Sequence, residues 1–281
     1  VRRAVTRAKG AYALVAMSRD EPDRIVAVRM ISPLVVGVGD GEMFLASDIP
    51  AILHHTRDVM IVENGEMVDI TLDGVRVETL SGEPVDRPPM QVSWSAEQAE
   101  RGGFPHFMLK EIYEQPHAMT ETLSGRLKDD GTVDLEDVGF PPGFVEQLDR
   151  IWVTACGTAL HAGLVGKEIF EKLLRVPVEA AFAHELRYRD PIIAPNSLTI
   201  AISQSGETAD TLAAASLVQE RGSRVLALTN VVGSTLSRDA DDIVYTRAGP
   251  EIAVASTKAY LTMLVGEYLM ALAFGQARGA L

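Results

Sequence analysis

Three short stretches gather small and hydroxyl-bearing residues beside apolar runs. Cys156-Gly157-Thr158-Ala159 follows Ile151-Trp152-Val153-Thr154-Ala155, and Ser203-Gln204-Ser205-Gly206-Glu207-Thr208 follows Leu198-Thr199-Ile200-Ala201-Ile202. Ala253-Val254-Ala255-Ser256-Thr257-Lys258 precedes a long apolar helical pattern. Each stretch leads into a helix. Backbone N–H groups at a helix N-terminus carry partial positive charge, and neighbouring hydroxyls add neutral donors, so the combination suits a phosphate monoester held without metal or an arginine clamp. Gly206 allows the backbone to come close to such an anion. A Ser or Thr after a strand is ordinarily a helix N-cap. The density of hydroxyls from Ser203 to Thr208, with Gln204 and Gly206 between them, favours the anion.

Other chemistry is weaker. Gly163 to Lys167 lacks the spacing of a nucleotide P-loop, and no Gly-x-Gly-x-x-Gly follows a strand. The histidines at 54, 55, 106, 117, 161 and 184 show no metal-ligand spacing, and with one cysteine neither a disulfide nor a Cys-based zinc site is expected. Neither a metal nor a cofactor is expected. Cys156 could be a nucleophile at a helix N-terminus, but no sequence feature supplies a partner base, so it reads as a small buried residue. Glu207 reads as an acid complementing a helix dipole. Tyr113-Glu114-Gln115-Pro116 reads as a helix end.

The elements that must position these loops fall into two textures. Between residues 11 and 80, short β-like runs follow one another: 11–17, 24–29, 34–38, 43–46 and 59–62. Asn64-Gly65 tolerates positive φ and predicts a hairpin joining 59–62 to 67–70. Gly74 to Glu78 alternates as a half-buried strand. Ser47-Asp48-Ile49-Pro50 predicts a short helix capped by Asp48. Three prolines between Gly82 and Pro89 predict extended chain, and a helix is expected from His106 to Glu114, stopped by Pro116. From Asp149 onward, strands at 151–155, 178–182, 198–202, 225–229 and 243–246 alternate with helices at 158–174, 209–221 and 257–274. That alternation predicts a parallel sheet covered on both faces, whose ligands bind beyond the carboxyl ends of the strands. The fold class is therefore α/β: a three-layer αβα domain preceded by a partial antiparallel β domain. The expected division is 1–84 for the first domain, 85–103 for a linker and 104–281 for the second.

Composition bounds the function. A net charge of −13 over 281 residues argues against nucleic acid and anionic lipid as partners. The most apolar stretch, Ala259 to Ala277, contains Glu267 and falls short of a membrane span. Leu261, Leu264, Tyr268 and Leu272 form one stripe of that last helix, while Met263, Met270 and Phe274 cover other sides. A helix apolar nearly all round is buried or covered by another chain, so a homodimer or association through this domain is expected. The single cysteine fits a cytoplasmic location.

Taken together, the loops resemble a known family. Ser203 to Thr211 resembles the signature of sugar isomerase (SIS) domains. Ala155 to Thr158, Glu185-Leu186-Arg187-Tyr188 and Glu251 to Ala259 resemble the glutamine–fructose-6-phosphate aminotransferase (isomerising) family, and Lys110 to Pro116 resembles the start of its synthase domain. Ser32-Pro33-Leu34-Val35 and Ala46-Ser47-Asp48 resemble the late part of its glutaminase domain, of the N-terminal-nucleophile hydrolase type. The resemblance spans essentially the whole chain. It implies conversion of fructose 6-phosphate and glutamine to glucosamine 6-phosphate and glutamate, in hexosamine biosynthesis. It also implies that Ser203, Gln204, Ser205 and Thr208 hold the sugar's phosphate, and that Thr158, Val254 and Ser256 contact substrate. Ala159 stands where some relatives carry Ser.

The departures bear on activity. The family's glutaminase nucleophile is an N-terminal cysteine, whereas this chain begins with Val1 and its one cysteine lies in the other domain. The second SIS domain, which carries the family's acid/base Glu, His and Lys, would follow residue 281. No catalytic residue is therefore assigned, and the chain is expected to be an internal or truncated piece that binds fructose 6-phosphate or glucosamine 6-phosphate without turnover. The alternatives are a non-catalytic SIS module that senses a phosphosugar and a structural piece that binds nothing.

Overall fold

The computed structural model describes residues 1–94 and 97–281. Ser95 and Ala96, which fall in the expected linker, lie outside the described residues. The chain divides into two compact units, Val1–Gly102 and Gly103–Leu281.

In the first unit the short apolar runs pair antiparallel. After a turn of helix, α1 (Arg2–Val5), come β1 (Tyr12–Ser18), β2 (Glu21–Met30), β3 (Val35–Val38), β4 (Met43–Ala46), β5 (Asp58–Ile61), β6 (Glu66–Thr71), β7 (Gly74–Thr79), β8 (Pro84–Val85) and β9 (Met90–Gln91). They build two sheets, in the orders β1-β2-β6-β7-β8 and β4-β3-β5-β9. Alternate residues of both sheets share one core. Ala27, Val68, Ile70 and Val77 come from the first sheet, Val36 and Met60 from the second.

That shared core overrides the hairpin expected at Asn64-Gly65. β5 pairs with β3 and β9, whereas β6 pairs with β2 and β7. Asn64-Gly65 instead carries the chain from one sheet to the other. Gly65 has φ +76°, its N–H donates to the Arg29 carbonyl at 3.0 Å, and Asn64 Oδ1 accepts from the Ile31 N–H at 2.6 Å. Met60 and Val68 both need burial, and stacking the sheets face to face buries both. The tight hairpin lies one element later, where Thr71 and Gly74 pair across Leu72-Asp73. Residues 47–55 form turns rather than a regular helix, though Asp48 Oδ1 does accept from the Ala51 N–H at 3.3 Å. The proline-rich stretch contributes two edge pairings, β8 on β7 and β9 on β5. Proline is tolerated at an edge because its missing N–H breaks no ladder there.

The second unit opens with α2 (Phe107–Leu123), followed by β10 (Arg150–Ala155), α3 (Gly157–Leu174), β11 (Val178–Phe182), α4 (Ala183–Leu186), β12 (Ser197–Ser203), α5 (Ala209–Glu220), β13 (Arg224–Thr229), α6 (Thr235–Asp239), β14 (Asp242–Tyr245) and α7 (Lys258–Ala277). The five strands pair in parallel in the order β11-β10-β12-β13-β14. Alternation along each strand divides the core in two. Ile151, Val153, Ile200, Ile202, Leu226 and Leu228 pack with residues of α3 and α7 on one face. Trp152, Ala201, Val225 and Ala227 pack with residues of α4, α5 and α6 on the other. The unit is thus a three-layer αβα sandwich. α5 ends as its Gly222 suggests, with φ +91° at Gly222 and the Ser223 N–H donating to the Val218 carbonyl at 3.0 Å.

One helix expectation needs correction. Pro116 lies inside α2 and does not stop it. Proline removes the N–H that would reach the Ile112 carbonyl, and the Gln115 side-chain amide donates to that carbonyl instead, at 3.0 Å. Within α3, Leu164 and Val165 are exposed, while Gly163 and Gly166 lie on the buried side. In α7, Met263, Met270 and Phe274 are buried, whereas Leu261, Leu264 and Leu272 are half-buried and Tyr268 is exposed. Packing against α3, α2 and the sheet therefore buries the methionine side of α7.

Candidate functional site

The strand order reverses beside β10: the chain passes from β10 out to β11, then back across to β12. Open α/β sheets bind ligands at such a switch point, beyond the strands' carboxyl ends. Registers Ala155↔Ile202 and Ser203↔Thr229 bring the loops after β10, β12 and β13 to one edge of the sheet.

Within the loop after β12, hydroxyls meet one another. Ser203 Oγ lies 3.0 Å from Thr208 Oγ1 and accepts from the Gly206 N–H at 3.0 Å. Ser205 Oγ accepts from the Glu207 N–H at 3.2 Å. Ser203 is buried, whereas Gln204, Ser205 and Thr208 are half-buried. Ser203 thus shapes the loop from below. Thr208 is the N-cap of α5 yet makes no side-chain capping bond, so the capping explanation fails at that position. The N–H groups of α5's first turn have no intrahelical acceptor.

Gly206 is required for a reason the sequence alone hides. Its φ is +67°, and a Cβ there would lie 2.1 Å from Ser234 Oγ and 3.0 Å from Thr229 Oγ1. The glycine lets the loop lie against the start of α6, where its carbonyl accepts from the Leu236 N–H at 3.0 Å. Glu207 precedes α5 and serves α6 instead. Its carboxylate accepts from the Thr235 N–H at 2.7 Å and the Thr235 hydroxyl at 2.9 Å.

The other expected residues lie on neighbouring loops. Thr158 is exposed in the first turn of α3, Val254 is fully exposed before α7, and Ser256 is half-buried there, donating to Glu251 Oε2 at 3.0 Å. Two carboxylates fix the segment before α7. Glu251 Oε1 accepts from the Thr257 and Ala259 N–H groups at 2.8 and 3.1 Å. Glu111 Oε1 accepts from the Ile252 and Ala253 N–H groups at 2.7 and 3.1 Å. Lys258 is buried, and its ammonium lies 2.7 Å from Glu114 Oε2. Tyr113 to Pro116 therefore belongs to a helix that braces this loop, not to a helix end.

Sequence reasoning missed the organiser of the edge, Asn230. Its Oδ1 accepts from the Thr246 hydroxyl at 3.1 Å and the Ala248 N–H at 2.7 Å, and its Nδ2 donates to the Gly249 carbonyl at 2.7 Å. Its backbone N–H donates to the Gln204 carbonyl at 3.1 Å. The polar pair Thr229-Asn230 closing the apolar run 225–228 was the available signal.

Cys156 is half-buried, the N-cap of α3, and accepts a hydrogen bond from Thr211 Oγ1 at 3.7 Å. One ligand atom each of Cys156, His184 and Asp210 lies within 4.8 Å of the other two. The fold thus gathers a group that spacing along the chain could not reveal.

Residues 145–273 match the SIS domain family. The chain is 55% identical over 280 residues to the glutamine–fructose-6-phosphate aminotransferase [isomerizing] of Symbiobacterium thermophilum, covering 99% of this chain and 46% of that protein. The corresponding protein of Clostridium tetani is 51% identical over 278 residues, with the same coverage of 99% and 46%. The chain therefore spans about half the length of the curated relatives it matches. Among solved structures, the C-terminal domain of glucosamine-fructose-6-phosphate aminotransferase from Francisella tularensis superposes with a TM-score of 0.62 at 38% identity, covering 65% of this chain and 51% of that one. With a SIS match over residues 145–273 and identity this high along nearly all its length, the chain belongs to the glutamine–fructose-6-phosphate aminotransferase family, matching a part of its members and carrying a SIS domain.

Proposed function

We propose that the edge built by the loops after β10 and β12 binds the phosphate of a sugar phosphate. Ser203, Gln204, Ser205 and Thr208 form the phosphate cradle, and Thr158, Val254 and Ser256 flank the sugar. The loop at the switch point carries this reading: the Ser203 and Thr208 hydroxyls meet there, with Ser205 and Gly206 in the same loop, beside a helix N-terminus left without a side-chain cap. Ser205's hydroxyl accepts a backbone N–H and keeps its own proton to donate. Thr208 shares a proton with Ser203, and a dianion can draw that proton outward. Neutral donors and backbone N–H groups suit a doubly negative monoester, which this acidic chain would otherwise repel.

In this reading the chain supplies sugar-phosphate binding to the conversion of fructose 6-phosphate and glutamine into glucosamine 6-phosphate and glutamate. Residues 1–84 correspond to part of a glutaminase-type domain, 85–103 to a linker and 104–281 to the SIS domain. No catalytic residue is assigned here, and no cofactor is invoked. The half-exposed side of α7, with Leu261, Leu264, Tyr268 and Leu272, is the surface for self-association. No helix is long and apolar enough to cross a membrane among the described residues, and the reading places the reaction in the cytoplasm.

Calorimetric titration of the chain with fructose 6-phosphate and glucosamine 6-phosphate tests the cradle. Ser205→Ala and Thr208→Ala are each expected to weaken binding by about 1–3 kcal/mol. Equal affinity in both variants and the native chain would remove the phosphate assignment.

A further inference from the structure

The Cys156 thiol, His184 imidazole and Asp210 carboxylate come from three different elements: the N-cap of α3, the start of α4 and the first turn of α5. Their ligand atoms lie within 4.8 Å of one another. We infer that these three side chains form a binding site for a thiophilic divalent cation of the zinc class. The donor set is the first argument. Sulfur, imidazole nitrogen and carboxylate oxygen together favour zinc over magnesium or calcium, which take oxygen ligands. Geometry is the second. Zinc bonds of roughly 2.0–2.3 Å set tetrahedral ligand atoms roughly 3.5 Å apart, so closing the group takes a contraction of about 1 Å. The His184 side chain is 49% exposed and has the freedom to supply it.

Supporting contacts are the third argument. Metal ligands work best when outer groups orient them. Arg187 Nη1 donates to Asp210 Oδ1 at 2.7 Å, which leaves Oδ2 for a cation. Thr211 Oγ1 donates to Cys156 Sγ at 3.7 Å and aims the sulfur. The His184 ring stacks on Phe182, with centroids 5.1 Å apart and planes 27° from parallel. A thiolate and a carboxylate supply two negative charges to a dication, with the Asp210 carboxylate also facing Arg187. Three protein ligands on a partly exposed surface leave a fourth position open to water or another ligand, the arrangement of a reactive or regulatory zinc rather than a closed structural one.

Cobalt(II) is the spectroscopic probe, titrated into the whole chain with no sugar phosphate present. The expected result is a thiolate-to-cobalt charge-transfer band that saturates at one equivalent and is displaced by zinc. Cys156→Ser should abolish it. His184→Ser and Asp210→Asn should each weaken cobalt binding about tenfold or more, and His161→Ser, an exposed histidine in α3, should leave it unchanged. His184 is exposed, so its replacement leaves the fold intact; circular dichroism of that variant should match the native chain. Absence of the band in the native chain would overturn the inference. So would a band that His184→Ser and Asp210→Asn leave untouched, which would mark metal held by a lone thiol.

Discussion

Glu267 gives the sharpest test of the packing described here. It lies in the middle of α7, is fully buried, and neither carboxyl oxygen has a hydrogen-bond partner. Its space exists because α3 carries Gly166 opposite: a Cβ at 166 would lie 2.1 Å from Glu267 Oε1. Burial without a donor pushes the carboxyl's pKa well above its ordinary 4.5. The folded chain therefore keeps a proton that the unfolded chain releases. The group's contribution to stability is complete below pH 4.5 and is lost as pH rises towards the folded-state value. The slope is about 1.4 kcal/mol per pH unit. Glu267→Gln keeps the shape and removes the titration. The variant's stability relative to the native chain should therefore rise as pH climbs above 4.5, by up to about 1.4 kcal/mol for each pH unit until the folded-state carboxyl ionises. Urea unfolding followed by Trp152 fluorescence reports on this unit, since Trp152 is buried in β10. Trp94→Phe removes the other tryptophan, which lies in the first unit. Gly166→Ala is a second probe: it should destabilise the native chain and do so less when Glu267 is Ala. A stability difference between Glu267→Gln and the native chain that stays constant from about pH 5 to 7.5 would refute the reasoning.

Two further predictions concern the edge of the sheet. Gly206→Ala meets both a positive φ and the Ser234 hydroxyl, so it should cost about 2–4 kcal/mol in denaturant unfolding, and adding Ser234→Gly should restore part of that loss. Asn230→Ala leaves the Ala248 N–H and the Thr246 hydroxyl without their acceptor. It should cost about 2–3 kcal/mol and raise hydrogen exchange in residues 246–250; unchanged exchange there would show that Asn230 does not hold the loop.

Much of the second unit could be read from local pattern. Runs such as Leu198–Ile202 and Val225–Thr229 are apolar throughout because both faces of a parallel sheet are covered, and that leaves a strong signal in sequence. The hydroxyl-rich loop stood out because Ser, Thr, Gln and Gly interleave within six residues. The first unit was less legible. Its strands were visible one by one, yet their partners were not, because an Asn-Gly turn serves equally to fold a strand back or to pass it to a facing sheet. Pro116 misled for a similar reason: its local effect is to break a helix, and only the Gln115 amide and the packing of α2 on α7 make the helix continue.

What the sequence by itself determined was the class of each segment and the location of the hydroxyl loop, since periodicity, glycine and side-chain chemistry are properties of neighbours in the chain. Tertiary structure decided which segments became partners. It set Gly206 against Ser234, made Glu207 a brace for α6 and Asn230 a tie between loops, and gave Glu267 its slot over Gly166. It also drew Cys156, His184 and Asp210 from the ends of separate strands into one cluster. These are meetings of residues 16 to 101 positions apart. Burying a common core arranges such contacts, and no local preference encodes them.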